Sequence, residues 1–405
     1  MASAFSLSLP QPKALTAAEE LPLLEMAHAQ RAEGYALKLA QSLYRLRRDA
    51  EVIDLLSNDP LDGADEFTRD MLLGLSHLGR NGDGDAPAAQ RYLVAAARSA
   101  PDQASRAAAL SELGKSHFVL GELPQARHAL DAALAEDERT PYGLLRMASL
   151  DLLEHRERDL LDRSAVAMAG GISDASILAG RYLALSALSQ TTLAADFEAM
   201  DELLWQGSLP TPEGWESIEA FNSALAGELL DHPGRSRPRR GAESNARWRV
   251  DDLLLDRSHL VPVLLRTLQE QIERQIRTLA GNDHVWCQAR PPKARLHIWS
   301  MTTHDDAFDA WHMHVRGWMS GVYYVQIPDQ RLHDAAGCIE FGIPEIDGID
   351  RQLPGERRRI RPGPGQLLLF PSHLHHRTHP TGSSDRRISV AFDIVPDRRP
   401  GAGNE

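Results

Sequence analysis

The chain has 405 residues, 42% hydrophobic and 25% charged, with 57 acidic against 44 basic side chains and a formal net charge of -13. That length exceeds one ordinary core, at roughly 100 to 200 residues per domain, so two domains are expected. The composition excludes three classes. No run reaches the roughly 18 apolar residues of a membrane span, the acidic balance argues against a nucleic-acid partner, and Cys287 and Cys338, the two cysteines, are too few for a disulfide framework or a thiolate-rich zinc site. The opening stretch is broken by prolines and has no basic segment before an apolar run, so a cytoplasmic location is expected.

From about Leu15 to Met200 the chain is rich in Ala and Leu at helical spacing, with short Gly, Asp and Pro breaks. Within it, Leu110, Leu113, Gly114, Phe118, Gly121, Ala126, Leu130 and Ala133 stand where a two-helix unit buries its small and large residues. This pattern resembles a tetratricopeptide repeat, in which Gly114 and Ala126 let two helices approach and Gly121 lies at their turn. Asp49 to Leu56, after Tyr35 to Tyr44, and Tyr142 to Val166 read as weaker copies; a generic helical bundle is the alternative. Either form implies an interaction module for a peptide or protein partner.

Gly207 to Trp215 and Asp231 to Arg247 are rich in Pro, Gly, Ser and Arg, and the domain boundary is placed near Leu209. Glu216 to Leu230 predicts one helix. Ser258 to Ala280 predicts a second, with Leu260, Leu264, Leu268, Ile272 and Ile276 forming a stripe that should pack on a sheet. Arginines cluster at Arg235, Arg237, Arg239 and Arg240 and at Arg357, Arg358, Arg359 and Arg361, either as solvated loops or as docking patches. After Asn282 the period changes to two. Arg295 to Met301, Met319 to Ile327, Cys338 to Phe341, Gln366 to Phe370 and Ile388 to Ile394 predict strands of an antiparallel sandwich or barrel, with Gly363-Pro364-Gly365 as a turn.

Seven histidines lie between His304 and His376. In His312-Met313-His314 two imidazoles at i and i+2 share one face of an extended segment and can meet one ion. His376 would complete a three-histidine face that leaves the opposite coordination positions open. An isolated HxH is more often a surface feature, so its surroundings matter. Arg387, Ser389 and Ala391 alternate onto one face of the last strand, where a guanidinium and a hydroxyl suit a carboxylate. The bland alternative pairs Arg387 with Asp385 or Asp393.

From Trp205 to Pro396 the chain resembles the 2-oxoglutarate- and Fe(II)-dependent oxygenases that follow tetratricopeptide-like repeats. The matching segments are Ala294 to Ser300, His312 to His314 with Trp318 to Val325, Gly337 to Gly342, Phe370 to Ser372 with His376 to Thr378, and Arg387 to Asp393. The resemblance implies a multidomain α and β chain. A TPR-like helical-repeat array over residues 1–208 would precede a double-stranded β-helix (jelly-roll) domain with flanking helices over residues 209–405.

The resemblance further implies a non-haem dioxygenase that uses Fe(II), 2-oxoglutarate and O2, hydroxylates a C–H bond and releases succinate and CO2. His312, His314 and His376 would be the metal ligands. Arg387 and Ser389, with Tyr323 or Tyr324, would bind 2-oxoglutarate. His314 departs from the family pattern, since an HxD motif has a carboxylate there; Asp306 and Glu340 are alternative sources of one. His373, His375 and His379 read as supporting or surface residues. The competing readings are a cupin-type metalloprotein, disfavoured because Arg316 to Tyr324 contains no acid, and a non-catalytic scaffold with a vestigial barrel.

Overall fold

A computed structural model describes residues 5–30, 34–58, 65–237, 247–328, 334–346, 349 and 351–397. The chain separates into two compact units, one of Leu15–Leu160 and one joining Met1–Ala14 to Leu161–Glu405. Arg239 and Arg240 of the first arginine cluster lie outside the described residues.

The first unit is helical. Its helices are Ala17–Ala29, Tyr35–Arg45, Asp49–Asn58, Glu66–Arg80, Asp85–Ser99, Gln103–Val119, Leu123–Glu136 and Pro141–Leu153. Thr16 starts the first with a capping box: its hydroxyl accepts from the Glu19 amide, while the Glu19 carboxylate accepts from the Thr16 amide at 2.9 Å. Two successive helix pairs repeat one set of contacts. A Cβ on Gly114 would lie 2.7 Å from Leu130, and one on Gly74 would lie 2.8 Å from Leu93, so each bare backbone admits a leucine of the next helix. The turns match as well, through Gly121 at φ 73° and Gly84 at φ 79°. After each turn an acid meets a histidine of the preceding helix, Glu122 with His117 at 2.7 Å and Asp85 with His77 at 2.6 Å. The pair from Glu66 to Ser99 thus makes the same set of contacts as the pair from Gln103 to Glu136, a correspondence that the sequence reading did not mark.

The second unit is built around strands β1 (Ser6–Ser8), β2 (Trp205–Ser208), β3 (Arg247–Val250), β4 (Lys293–Thr303), β5 (Met319–Gln326), β6 (Ile339–Gly342), β7 (Arg357–Ile360), β8 (Gln366–Pro371), β9 (His376–Thr378) and β10 (Arg387–Pro396). The larger sheet runs β1-β4-β10-β5-β8-β2, with β3 also paired to β4; the smaller runs β7-β6-β9. β1 is parallel to β4 and the other pairings are antiparallel. Val322, Tyr324, Leu368 and Phe370 of the larger sheet pack with Ile339, Phe341 and Ile360 of the smaller, so the two sheets enclose a common interior.

The opposite face of the larger sheet is covered by the helices Ile218–Leu230 and Val261–Thr278, which bury Phe221, Leu225 and Leu229, and Leu264, Leu268, Ile272 and Ile276. The two helices are tied together where the Glu228 carboxylate accepts from the Leu260 amide at 2.9 Å and the Val261 amide at 3.2 Å, meeting free N–H groups at the helix start.

All five expected strand segments are present. β1, β2, β3, β7 and β9 are additional, each too short or too charged to show alternation. Two of them separate the compact units from the boundary placed at residues 208/209. Trp205–Ser208 pairs with β8, and Ser6–Ser8 with β4, so segments assigned to the helical domain belong to the sheet. The helix Ala175–Ala187 goes with this unit too, through Leu178 in the core around the sheet.

Candidate metal centre

His312 and His376 are brought together by backbone pairing. His312 N donates to His376 O at 3.0 Å and His376 N to His312 O at 2.9 Å, which sets the two side chains opposite each other. His314 follows two residues on and donates its amide to Ser372 O at 3.1 Å. The HxH segment lies outside the named strands, as an extended segment held by the bridge from His312 to β9 and by the His314 amide on Ser372 O. The ring centroids stand 4.3 Å apart for His312 and His376, 5.3 Å for His312 and His314, and 5.1 Å for His314 and His376. One donor atom from each lies within 4.8 Å of the others, and among the described residues this is the group of His, Cys, Asp or Glu that could hold a metal ion.

The hydrogen bonds around the rings decide which nitrogen is free. Nδ1 of His312 meets Ala310 O at 2.8 Å, Nδ1 of His376 meets Leu374 O at 3.0 Å, and Nδ1 of His314 meets Asp393 Oδ1. Each acceptor is an oxygen, so each Nδ1 carries the proton and each Nε2 presents a lone pair. Burial, reinforced by the neighbouring imidazoles, lowers the pKa of His312 and takes that of His376 well below the usual histidine value, so both stay neutral as ligation requires. Three imidazoles gathered about one point are a donor set suited to Fe(II).

Asp393 belongs to a buried network. Its Oδ1 also accepts from Ser320 Oγ at 2.7 Å, and Ser320 Oγ meets Ser372 Oγ at 2.7 Å. Burial opposes its ionisation, but the His314 ring and these hydrogen bonds prevail and hold the carboxyl below its usual value. The sequence reading had Asp393 only as a possible partner of Arg387. Its i+6 position from Arg387, on the inward face of the last strand, was the signal available.

Arg387 lies further along that face and is 5% exposed. Among the described residues it has no carboxylate partner. Nη1 points to Gly337 O at 3.5 Å, and the guanidinium lies 5.2 Å from the centre of the Tyr324 ring. Ser389 is paired across β5 with Tyr324, so the three residues share the interior. The Tyr324 hydroxyl is buried beside the Arg387 charge and, among the described residues, is left without a hydrogen-bond partner. Tyr323 is a correction to the candidate set: alternation turns it to the other face, where its hydroxyl donates to Asn222 Oδ1 at 2.6 Å.

The two alternative carboxylates are not at this site. Glu340 is 1% exposed and is taken by Arg359 at 2.7 Å, Arg377 at 2.6 Å and His379 at 3.2 Å. Burial alone would raise its pKa, yet the two guanidiniums hold it down at about 2. Asp306 is exposed, and the adjacent Asp305 bonds His304 at 2.7 Å. His373 and His375 are buried and not on the surface, and burial pushes them down to about 3 and about 4. Arg357 and Arg377 lie over the Trp311 ring at 5.2 and 4.8 Å, beside the HxH segment.

Residues 297–393 match the family model described as "Putative 2OG-Fe(II) oxygenase". A PKHD-type hydroxylase of Sphingopyxis alaskensis is 28% identical over 80 residues, which is 18% of this chain; the match spans 37% of that relative's length. A prolyl-4-hydroxylase of Pseudomonas putida is similar in structure at 18% identity and a TM-score of 0.33, covering 51% of this chain and 100% of that one. HygX of Streptomyces hygroscopicus, solved with nickel and 2-oxoglutarate, gives 12% identity and a TM-score of 0.34, covering 49% and 85%. No helix among the described residues is long and apolar enough to cross a membrane.

Proposed function

We propose, from the match of residues 297–393 to the 2OG-Fe(II) oxygenase family model and from the geometry of the three histidines and Arg387, that the chain is a non-haem Fe(II)- and 2-oxoglutarate-dependent dioxygenase. His312, His314 and His376 hold the metal through Nε2. Arg387 binds the carboxylate of 2-oxoglutarate remote from the metal, with the Tyr324 hydroxyl and Ser389 beside it. When bound, Fe(II), 2-oxoglutarate and O2 supply the chemistry: oxidative decarboxylation to succinate and CO2 is coupled to hydroxylation of a substrate C–H bond. The chain's own contribution is to fix both groups in one enclosed interior. Val322, Leu368, Phe370 and Phe341 give that interior apolar walls that limit water.

The observation that carries this reading is Arg387. A guanidinium taken out of water without a carboxylate partner costs several kcal/mol, and it lies on the same interior face as Asp393, which bonds one of the three histidines. A dicarboxylate with one end at the imidazoles would place its other end against that charge. The test is titration of the Fe(II)-loaded chain with 2-oxoglutarate without O2, then aerobic assay of succinate. Binding and iron-dependent succinate formation, both lost in His376→Ala, are expected. Succinate formed without iron, or metal binding with no affinity for 2-oxoglutarate, would overturn it.

The substrate is proposed to be a peptide or protein presented through the helical unit, read as a tetratricopeptide-like array. The repeated contacts of Gly74 with Leu93 and Gly114 with Leu130 support that reading. Capture with the full chain, followed by mass spectrometry for the gain of one oxygen, tests it. Captured partners that remain unmodified after turnover would instead favour a small-molecule substrate.

A further inference from the structure

His312 and His376 each give their Nδ1 proton to a neutral carbonyl, whereas His314 gives its proton to a carboxylate. His314 also occupies the position at which an HxD motif has its acid. The carboxylate of Asp393 is 8% exposed and is held by three chain segments. Trp318 N donates to Ile394 O at 2.9 Å, Ser372 N to Trp318 O at 3.1 Å, and His314 N to Ser372 O at 3.1 Å, which locks the surroundings of Ser320, Ser372 and Asp393 together. Gly317 leaves the space for them: a Cβ there would stand 2.3 Å from Ser372 Oγ and 3.4 Å from the Asp393 Cβ. A buried acid supported in this way is a built feature and not a chance neighbour.

We infer that Asp393 is a positioning residue that supplies, through the His314 ring, the negative charge that a carboxylate ligand supplies directly in an HxD site. The inference rests on the three-histidine metal reading above. Three neutral imidazoles alone would leave a bound Fe(II) with its full double charge. Asp393 behind one of them returns the local total to that of two histidines and a carboxylate. The charge-assisted hydrogen bond also fixes the His314 tautomer and makes its Nε2 a stronger donor.

The experiment is anaerobic titration of the full chain with Co(II), followed by the Fe(III)/Fe(II) midpoint potential, in wild type and Asp393→Asn, each with and without His314→Ala. The amide keeps an acceptor for His314 and loses the charge. We expect Asp393→Asn to bind Co(II) about ten- to hundredfold more weakly, with a higher iron potential and an unchanged circular-dichroism spectrum. In the His314→Ala background the same change should have no effect, because its route to the metal is gone. Asp393→Ser, small and uncharged, is the second variant if the amide does not fold, with the same expected loss. Wild-type affinity and potential in both Asp393 variants, or an equal loss with and without His314, would overturn the inference while the metal centre stands. A wild type whose Co(II) binding is unaffected by His376→Ala would overturn the metal centre itself.

Discussion

Glu340 and Arg387 are both buried charges of the second unit, 1% and 5% exposed, and their surroundings are opposite. Glu340 meets two guanidiniums and an imidazole. Arg387, among the described residues, meets one distant carbonyl and the ring of Tyr324. Taking a charge out of water costs several kcal/mol in either place. At Glu340 the protein offsets that cost from its own side chains, so the charge is part of the finished fold. At Arg387 the described residues do not, and in the proposed reading the remote carboxylate of 2-oxoglutarate would complete the environment.

This contrast can be broken by experiment, and the largest effect is expected at Glu340. Glu340→Ala leaves Arg359 and Arg377 facing each other and should lower folding stability by about 4 kcal/mol, read by denaturant unfolding, with 2-oxoglutarate affinity unchanged. Arg387→Ala should do the reverse. Apo stability stays the same or rises, while 2-oxoglutarate affinity falls by about 3 kcal/mol, on the order of a hundredfold. Retained affinity by calorimetry would end the contrast, because Arg387 would then be a tolerated structural charge.

A pH series sharpens the same point. The Glu340 carboxyl is held at about 2, below its ordinary 4.5, so its stabilising contribution is complete above 4.5 and is lost as pH falls toward 2. Thermal melting of the wild type should show an acid loss across that window that Glu340→Gln lacks. The smallest effect belongs to Tyr324→Phe. Removing a hydroxyl that is left without a hydrogen-bond partner among the described residues should leave the melting temperature unchanged and weaken 2-oxoglutarate binding by about 1 kcal/mol. A loss of stability with no loss of binding would assign that hydroxyl to the core.

Much of the candidate site was legible because its chemistry dictates residue type and spacing. His312 and His314 at i and i+2 were bound to share a face, and Arg387, Ser389 and Ala391 alternate along one strand. Tyr323 and Tyr324 could not be told apart, since either parity satisfies an apolar run buried on both sides; only the helix bearing Asn222 shows which ring turns outward. Glu340 sits on a predicted strand within a segment that resembles the family, and nothing local shows that Arg359 and Arg377, its partners on the two flanking strands, take it.

Sequence alone determined the elements and the donor types: a helical first part, five strands with period two, an HxH pair, a distant histidine and an arginine opening the last strand. Tertiary structure alone decided which segments belong together and where each carboxylate went. Ser6–Ser8 and Trp205–Ser208 joined the sheet through backbone pairing that no local pattern announces. Asp393 came to stand behind His314 because β10 pairs with β5 in a register that sets Asp393 beside Ser320. Local periodicity reports which face a side chain takes. Only the pairing of distant strands determines what that face meets.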